Sequence, residues 1–286
     1  MKRFIPAIIL VLAFCASDCF AINLRPYMQT PSEVQVFAKR VIEDGGIVVD
    51  LEYCQKYTRL SKQLIIWSNG KFLGDANFAV KLNGSGVTKF YDLSGNNNDA
   101  TQGTVANQPI WTANQQNGRA GLVFDGGGDT LVISDNALLQ FGTGSFSCVA
   151  GFNVPWFAGL TSHTIVSKNY TGFEMWRYND TTAFLAYIGG TGNPPGGVNV
   201  TSDVMHLGVL TRNIDQCTLY ADGVAGTPST NSTNVSNVGT NVYLGARINN
   251  LYLTGKIYFQ MVFNIALTTA QRTALETFVN AYYSIY

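Results

Sequence analysis

The feature that most constrains the fold of this sequence is a long succession of short strand-like segments between residues 67 and 263. These segments are rich in β-branched and aromatic residues, as in 146–152, 205–211 and 256–263. Gly-Asn, Asp-Gly and Gly-Gly pairs separate them, and such pairs are typical of tight turns. Many short strands without intervening helices indicate an all-β antiparallel sandwich or barrel.

Helical periodicity is confined to the two ends of the chain. Val34, Phe37 and Val41 recur at helical spacing before Gly45, and a second helical pattern runs from about 50 to 64. A third pattern over residues 268–283 predicts one closing helix. We therefore expect a helical leader over 22–79 and a sandwich with its closing helix over 80–286.

The first residues have the pattern of a secretory signal peptide. A basic start precedes an apolar run over residues 4–14, and Ala21 offers a small residue at the cut site. The run is too short to cross a bilayer, so we expect no stable membrane span. The segment 1–21 is therefore predicted to be removed, which gives a secreted protein, extracellular or periplasmic. The alternative is a buried N-terminal helix.

Charge and cysteine content exclude some classes of protein. Eighteen Lys and Arg balance eighteen Asp and Glu, so the chain lacks the basic excess of a nucleic-acid binder, and no nucleic-acid partner is expected. Beyond residue 21 the cysteines are Cys54, Cys148 and Cys217. An odd number favours buried free thiols, with a Cys148–Cys217 bond as the alternative.

An ordered set of short motifs points to a known family. FYDLSGNNNDATQ at 90–102 is followed by NQP at 107–109, NGR at 117–119 and FDG at 124–126, with YLGA at 243–246 further on. In this order they resemble the laminin-G-like domains of the concanavalin A-like lectin/glucanase superfamily, over roughly residues 80–286. The resemblance implies an all-β, two-sheet antiparallel jelly-roll sandwich. To it the sequence adds a small helical N-terminal segment and a C-terminal helix.

Because that superfamily includes glucanases, catalysis has to be considered. A retaining glycosidase needs two carboxylates close together, and in this fold they lie on one strand. Glu174 is the one Glu within a predicted sandwich strand, and positions 176 and 178 hold Trp176 and Tyr178. No Gly-x-Ser-x-Gly occurs either. The sequence therefore predicts a protein that is not an enzyme.

Aromatic residues offer candidate ligand contacts. Glu174, Trp176 and Tyr178 alternate along one strand and therefore share a face, where they could stack a sugar ring and accept its hydroxyl hydrogens. Trp156 and Tyr170 fall in predicted loops, where exposed aromatic residues favour recognition. The alternative for Trp176 is that it fills the core of the sandwich.

The resemblance also implies one structural calcium ion near the rim of the sandwich. Asp125 and Asp129, separated by three glycines, are the best local candidates for its carboxylate ligands. Ca²⁺ takes six to eight oxygens, so backbone carbonyls would complete the set.

These observations favour a non-catalytic, secreted or surface-displayed binding module for carbohydrate or another cell-surface ligand. The second interpretation is a structural or adhesive virion protein of a phage, assembled in a larger particle as a capsid decoration or fibre. It rests on the helical segment 37–46, which resembles leaders of phage tail and fibre proteins. A glycan-active hydrolase is third.

Overall fold

The computed structural model describes residues 32–156, 162–178, 182–190, 195–248 and 250–286. The predicted signal peptide lies outside these residues. Within them the helices are α1 (Glu33–Glu43), α2 (Leu51–Gln63) and α3 (Thr269–Tyr283). The strands are β1 (Ile47–Val48), β2 (Gly70–Asp75), β3 (Ala79–Asn83), β4 (Gly86–Phe90), β5 (Ala100–Thr101), β6 (Ile110–Gln116), β7 (Arg119–Asp125), β8 (Leu131–Ile133), β9 (Phe146–Asn153), β10 (Ser162–Ser167), β11 (Phe173–Tyr178), β12 (Ala183–Ile188), β13 (Val198–Asn199), β14 (His206–Asn213), β15 (Gln216–Ala221), β16 (Val224–Ala225), β17 (Ser229–Thr230), β18 (Val242–Leu244) and β19 (Thr254–Phe263).

The pairings among these strands are antiparallel and define two sheets. In the front sheet the order is β15–β14–β9–β19, and β2 and β7 share the far edge of β19, with β6 beyond β7. In the back sheet the order is β13–β12–β11–β10–β18–β8–β5–β4–β3–β1. One bridge, Gly86 to Ile110, joins the sheets at a corner. The all-β, two-sheet antiparallel sandwich predicted from the sequence is confirmed.

The main core lies between the two sheets. Phe124, Phe146 and Leu210 from the front sheet meet Phe173 and Leu244 from the back sheet, and all are buried. Strand β9 is buried at every position, because its second face is covered as well. A strand covered on both faces reads as a continuous apolar run rather than an alternating one.

The three helices cover the outer face of the front sheet. Buried residues such as Val34 of α1, Tyr57 of α2 and Val279 of α3 form a second apolar cluster with Val209 and Phe259 of the front sheet. Ser32 and Thr268 each begin their helix with a capping box, in which the side chain and a glutamine three residues later satisfy backbone N–H groups. The front sheet is therefore sandwiched between helices and the back sheet.

The expected boundary at residue 79 does not separate two units. Strand β2 lies within the segment expected to be a helical leader, yet it pairs along β19 in the front sheet. Residues Ser32–Tyr286 form one unit. The physical reason is that two short helices cannot bury enough apolar surface alone and need the sheet to cover their apolar faces.

The three cysteines in the described residues are free and buried. Cys54 packs in the helical cluster, while Cys148 and Cys217 lie in the core between the sheets. The prediction of buried free thiols is confirmed. Among the described residues, no helix has the length and apolar character needed to cross a membrane.

Candidate functional site

A row of directly paired residues crosses the back sheet on its outer face, the face turned away from the front sheet. Direct partners in antiparallel strands point to the same side of the sheet. The neighbours Leu131, Leu244 and Ile188 face the inter-sheet core, so the alternate positions face outward. In order across the sheet, the row consists of Thr101, Val132, Tyr243, Ser167, Glu174 and Tyr187.

The helices do not pack on this part of the sheet. Their apolar cluster includes residues of β2, β3, β9, β14 and β19, and none of β8, β10, β11, β12 or β18 in the part of the chain that the structure describes. We call the outer surface formed by Tyr170, Glu174, Trp176, Tyr178, Tyr187 and Arg247 the open face.

A paired Glu and Arg form the centre of the open face. Arg247 donates from Nε and Nη2 to the two carboxylate oxygens of Glu174, at 2.7 and 2.6 Å, and Ser167 adds a hydrogen bond of 3.0 Å. The Glu174 side chain is fully buried, whereas that of Arg247 is 22% exposed. The expectation that Glu174 accepts sugar hydroxyls is therefore wrong, because both its oxygens are occupied and shielded.

Aromatic rings surround the guanidinium. The Cζ atom of Arg247 lies 5.6 Å from the ring centroid of Tyr170 and 5.9 Å from that of Tyr187. Trp176 stacks on Tyr187 at 5.5 Å and meets the edge of Tyr178 at 4.6 Å. The rings thus continue from Tyr170 across the guanidinium to Tyr178, and together they form one aromatic surface.

Trp176 lies within this surface but is only 4% exposed. It does not fill the core between the sheets, which was the alternative, because it shares the outward face with Glu174. Direct stacking of a sugar on Trp176 is also wrong, since its faces are covered. Its Nε1–H has no hydrogen-bond partner among the residues that the structure describes. Trp176 therefore supports Tyr178 and Tyr187, which are partly exposed.

The predicted site residues divide into two places. Glu174, Trp176 and Tyr178 lie on β11, and Tyr170 joins them through Arg247, with 42% of its surface exposed. Trp156 follows β9 of the front sheet and is 59% exposed. Arg247 and Tyr187 were not among the residues predicted from the sequence. Tyr187 alternates with the core-facing residues Ala186 and Ile188 on β12, and this alternation could have predicted that Tyr187 faces outward. The sequence around Arg247 gives no indication that Arg247 pairs with Glu174.

Asp125 and Asp129 hold a turn together. The backbone N–H of Asp125 donates to Asp129 Oδ2 at 3.0 Å, and that of Gly127 donates to Asp125 Oδ1 at 2.7 Å. Burial raises the pKa of Asp129, and the nearby charge of Asp125 adds to the effect. No group of three or more potential metal-ligating side chains occurs in the described residues. Calcium at these two residues stays a prediction.

No protein-family model matches the sequence, and no curated protein sequence matches it. Solved structures with a similar fold include the binding domain of Paraclostridial Mosquitocidal Protein 1, with a TM-score of 0.54, 14% identity, and coverage of 76% of this chain and 53% of that one. Botulinum neurotoxin type C, in a study of its cell entry through two ganglioside molecules, gives 0.52 and 13%, with 75% and 52% covered. A Trypanosoma rangeli sialidase bound to 2,3-difluorosialic acid gives 0.53 and 16%, with 81% and 39% covered.

The chain thus spans about half or less of the length of these structures. At these identities the likeness shows the fold alone, a β-sandwich shared with toxin binding domains and a sialidase. The finer laminin-G-like assignment stays a resemblance of sequence motifs.

Proposed function

We propose that this chain is a non-catalytic binding module for carbohydrate on cell surfaces, and that the open face is its binding site. One observation carries the proposal: the part of the back sheet outside the helical cluster presents partly exposed tyrosines around a guanidinium. The outer face of a sheet does not need exposed aromatic residues for its stability. A cluster of them beside a cation therefore indicates a binding surface.

The chemistry of the open face suits a sugar. The apolar side of a sugar ring stacks on tyrosine, and the hydroxyls bond to the phenol groups and to the donors of Arg247 that Glu174 leaves free. Glu174 is a positioning residue, because it fixes the plane of the guanidinium by two parallel hydrogen bonds. Burial alone lowers the pKa of Arg247, yet the hydrogen bonds and charge of Glu174 raise it overall, so the cation is permanent.

The comparisons support this proposal. One structural neighbour is a binding domain, and another is described by its interaction with gangliosides. Absence of catalysis is part of the proposal: Glu174, the one Glu within a sandwich strand, is engaged by Arg247 and has no second carboxylate beside it on β11. The proposal also includes secretion after removal of residues 1–21. N-terminal sequencing of the mature chain tests this removal.

A glycan array tests the binding site. The wild-type chain should bind a subset of glycans, and Tyr170→Ala combined with Tyr187→Ala should reduce that binding at least about tenfold, since stacking on an aromatic ring is lost. Tyr286→Ala is the matched control, because Tyr286 is an exposed tyrosine beyond α3. Glycan binding that survives in a folded double variant would refute the assignment of the site.

Assembly in a phage particle stays the alternative prediction. Retention of Met1 in a chain isolated from a particle would support it over secretion.

A further inference from the structure

A cavity of about 260 Å³ lies on the front sheet, away from the open face. Its base is another paired row, in which Lys256 of β19 lies between Val123 of β7 and Asn153 of β9. Pro155 and Asp203 line it from the segments after β9 and before β14. The volume lies just below the range for drug-sized ligands and suits a smaller molecule.

Buried Arg177 fixes two walls of this cavity. Its Nη1 donates to the carbonyl oxygen of Val154 at 2.6 Å, and its Nη2 donates to Ser202 Oγ at 2.8 Å. Val154 precedes Pro155, and Ser202 precedes Asp203. One guanidinium therefore holds together the two segments that face each other across the cavity, so the cavity is built by the fold rather than left by loose packing.

Lys256 is exceptional among the lysines that the structure describes. Every other one has an ion-pair or hydrogen-bond partner: Lys39, Lys56, Lys62, Lys71, Lys81, Lys89 and Lys168. Lys256 has neither, although it is half-buried and lines the cavity. An ammonium group that lines a cavity and has no partner in the protein is available to pair with an anionic group of a ligand.

Asp203, an exposed acid whose charge acts on the buried Arg177, also lines the cavity. The carboxylate of Asp203 takes part in no ion pair or hydrogen bond among the described residues, and it lies more than 4.0 Å from the ammonium of Lys256. The cavity thus presents one cation and one anion that the protein does not use for each other.

We propose that this cavity binds a sugar residue that carries a carboxylate. The carboxylate pairs with Lys256, the ring hydroxyls donate to Asp203, and Asn153 and Thr254 supply neutral hydrogen-bonding groups. The apolar side of the ring lies against Val123 and Pro155. Trp156, exposed and adjacent to Pro155, offers a face for the next sugar of a chain.

This inference goes beyond the proposed function, because it adds a second site with a different ligand chemistry. The open face offers aromatic surface and one cation paired with Glu174, whereas the cavity offers a lysine and an aspartate that are not paired with each other. The two sites share no residue, so each can fail alone. The Tyr170 and Tyr187 variants should leave the cavity unaffected, and a Lys256 variant should leave the open face unaffected.

The test is an NMR titration of the full chain with glucuronic acid, glucose and glycine. Glucuronic acid should bind to the wild type at least about tenfold more tightly than glucose or glycine, because glucose lacks the carboxylate and glycine lacks the ring. Lys256→Met, which removes the charge but keeps the length, should weaken glucuronic acid about tenfold or more. Lys256→Arg should restore most of that affinity.

Lys71→Met is the matched control, since Lys71 lies on β2 of the same sheet and is partly exposed. It should bind glucuronic acid as the wild type does, and unchanged melting temperatures should show that the variants are folded. The proposal fails if no ligand binds, if glucose binds as well as glucuronic acid, or if the folded Lys256→Met chain binds normally. Equal binding of glycine would also overturn it, in favour of a simple carboxylate site.

Discussion

Asp75 is a carboxylic acid buried beneath α3, and its ionisation opposes folding. Its Oδ1 accepts hydrogen bonds from Tyr283 Oη at 2.7 Å and from the backbone and side-chain N–H groups of Asn77 at 2.8 and 3.2 Å. Burial raises the pKa of Asp75 from its usual 3.8 to about 6. The folded state therefore holds this proton more tightly than the unfolded state.

The stability that protonated Asp75 contributes is fully present below about pH 3.8 and is lost as the pH rises through about 6. Asp75→Asn cannot ionise, so it should lack this loss, which is on the order of 3 kcal/mol. Urea unfolding of both chains from pH 4 to 8 measures the difference. Parallel profiles would mean that Asp75 keeps an ordinary pKa in the folded protein.

Phe124 tests the core between the sheets. It is buried, and a Cβ atom added at Gly245 would lie 2.4 Å from its ring. The ring is therefore closely packed against the backbone at Gly245. Phe124→Ala should lower the free energy of unfolding by about 3–5 kcal/mol, measured by denaturant unfolding. Val238→Ala, at a position 81% exposed, should change it by less than about 0.5 kcal/mol. Similar losses in both variants would contradict the assigned core.

The residues of the candidate site show which of their properties can be predicted from the sequence. Alternation along one strand placed Glu174, Trp176 and Tyr178 on a common face, and that placement is right because it depends only on local geometry. The expected exposure of the Glu174 carboxylate was wrong, because Arg247, which lies 73 residues further along the chain, pairs with it. Nothing local encodes that contact.

At the scale of elements, the caps of the helices are open to test. Thr268 caps α3 by accepting a hydrogen bond from the backbone N–H of Gln271. Thr268→Ala should destabilise the protein by about 1 kcal/mol, since a helix-end donor loses its partner. Thr273→Ala, at an exposed position inside the same helix, should be neutral or slightly stabilising because alanine favours helix. Thermal melting of both variants separates the effect of losing the capping hydrogen bond from the effect of losing a hydroxyl group. Equal effects of the two substitutions would contradict a capping role for Thr268.

The helices were predictable from local sequence, whereas strand β2 was not. Amphipathic spacing and capping residues lie within the helix itself, so α1, α2 and α3 were placed within one or two residues. Strand β2, with the sequence GKFLGD, has glycines at two of its six positions and directly follows two helices. Its identity as a strand comes from pairing with β19, almost two hundred residues away in the chain.

At the scale of the whole molecule, the helical layer and the two sheets should unfold together. Residues Ser32–Tyr286 form one unit, and the front sheet contributes to both apolar clusters. Far-ultraviolet circular dichroism and tryptophan fluorescence should therefore report one coincident transition in urea. Two separated transitions would show that the helices detach before the sandwich unfolds.

The three buried thiols can report which part of the folded chain opens first. Burial raises the pKa of Cys217 to about 11 and that of Cys148 to about 12, so in the closed state neither presents a reactive thiolate. Cys54 reports on the helical layer, and the other two report on the gap between the sheets. If the unit opens only as a whole, an alkylating reagent should modify all three at one common rate. Faster modification of Cys54 would instead show that the helical layer opens before the two sheets separate.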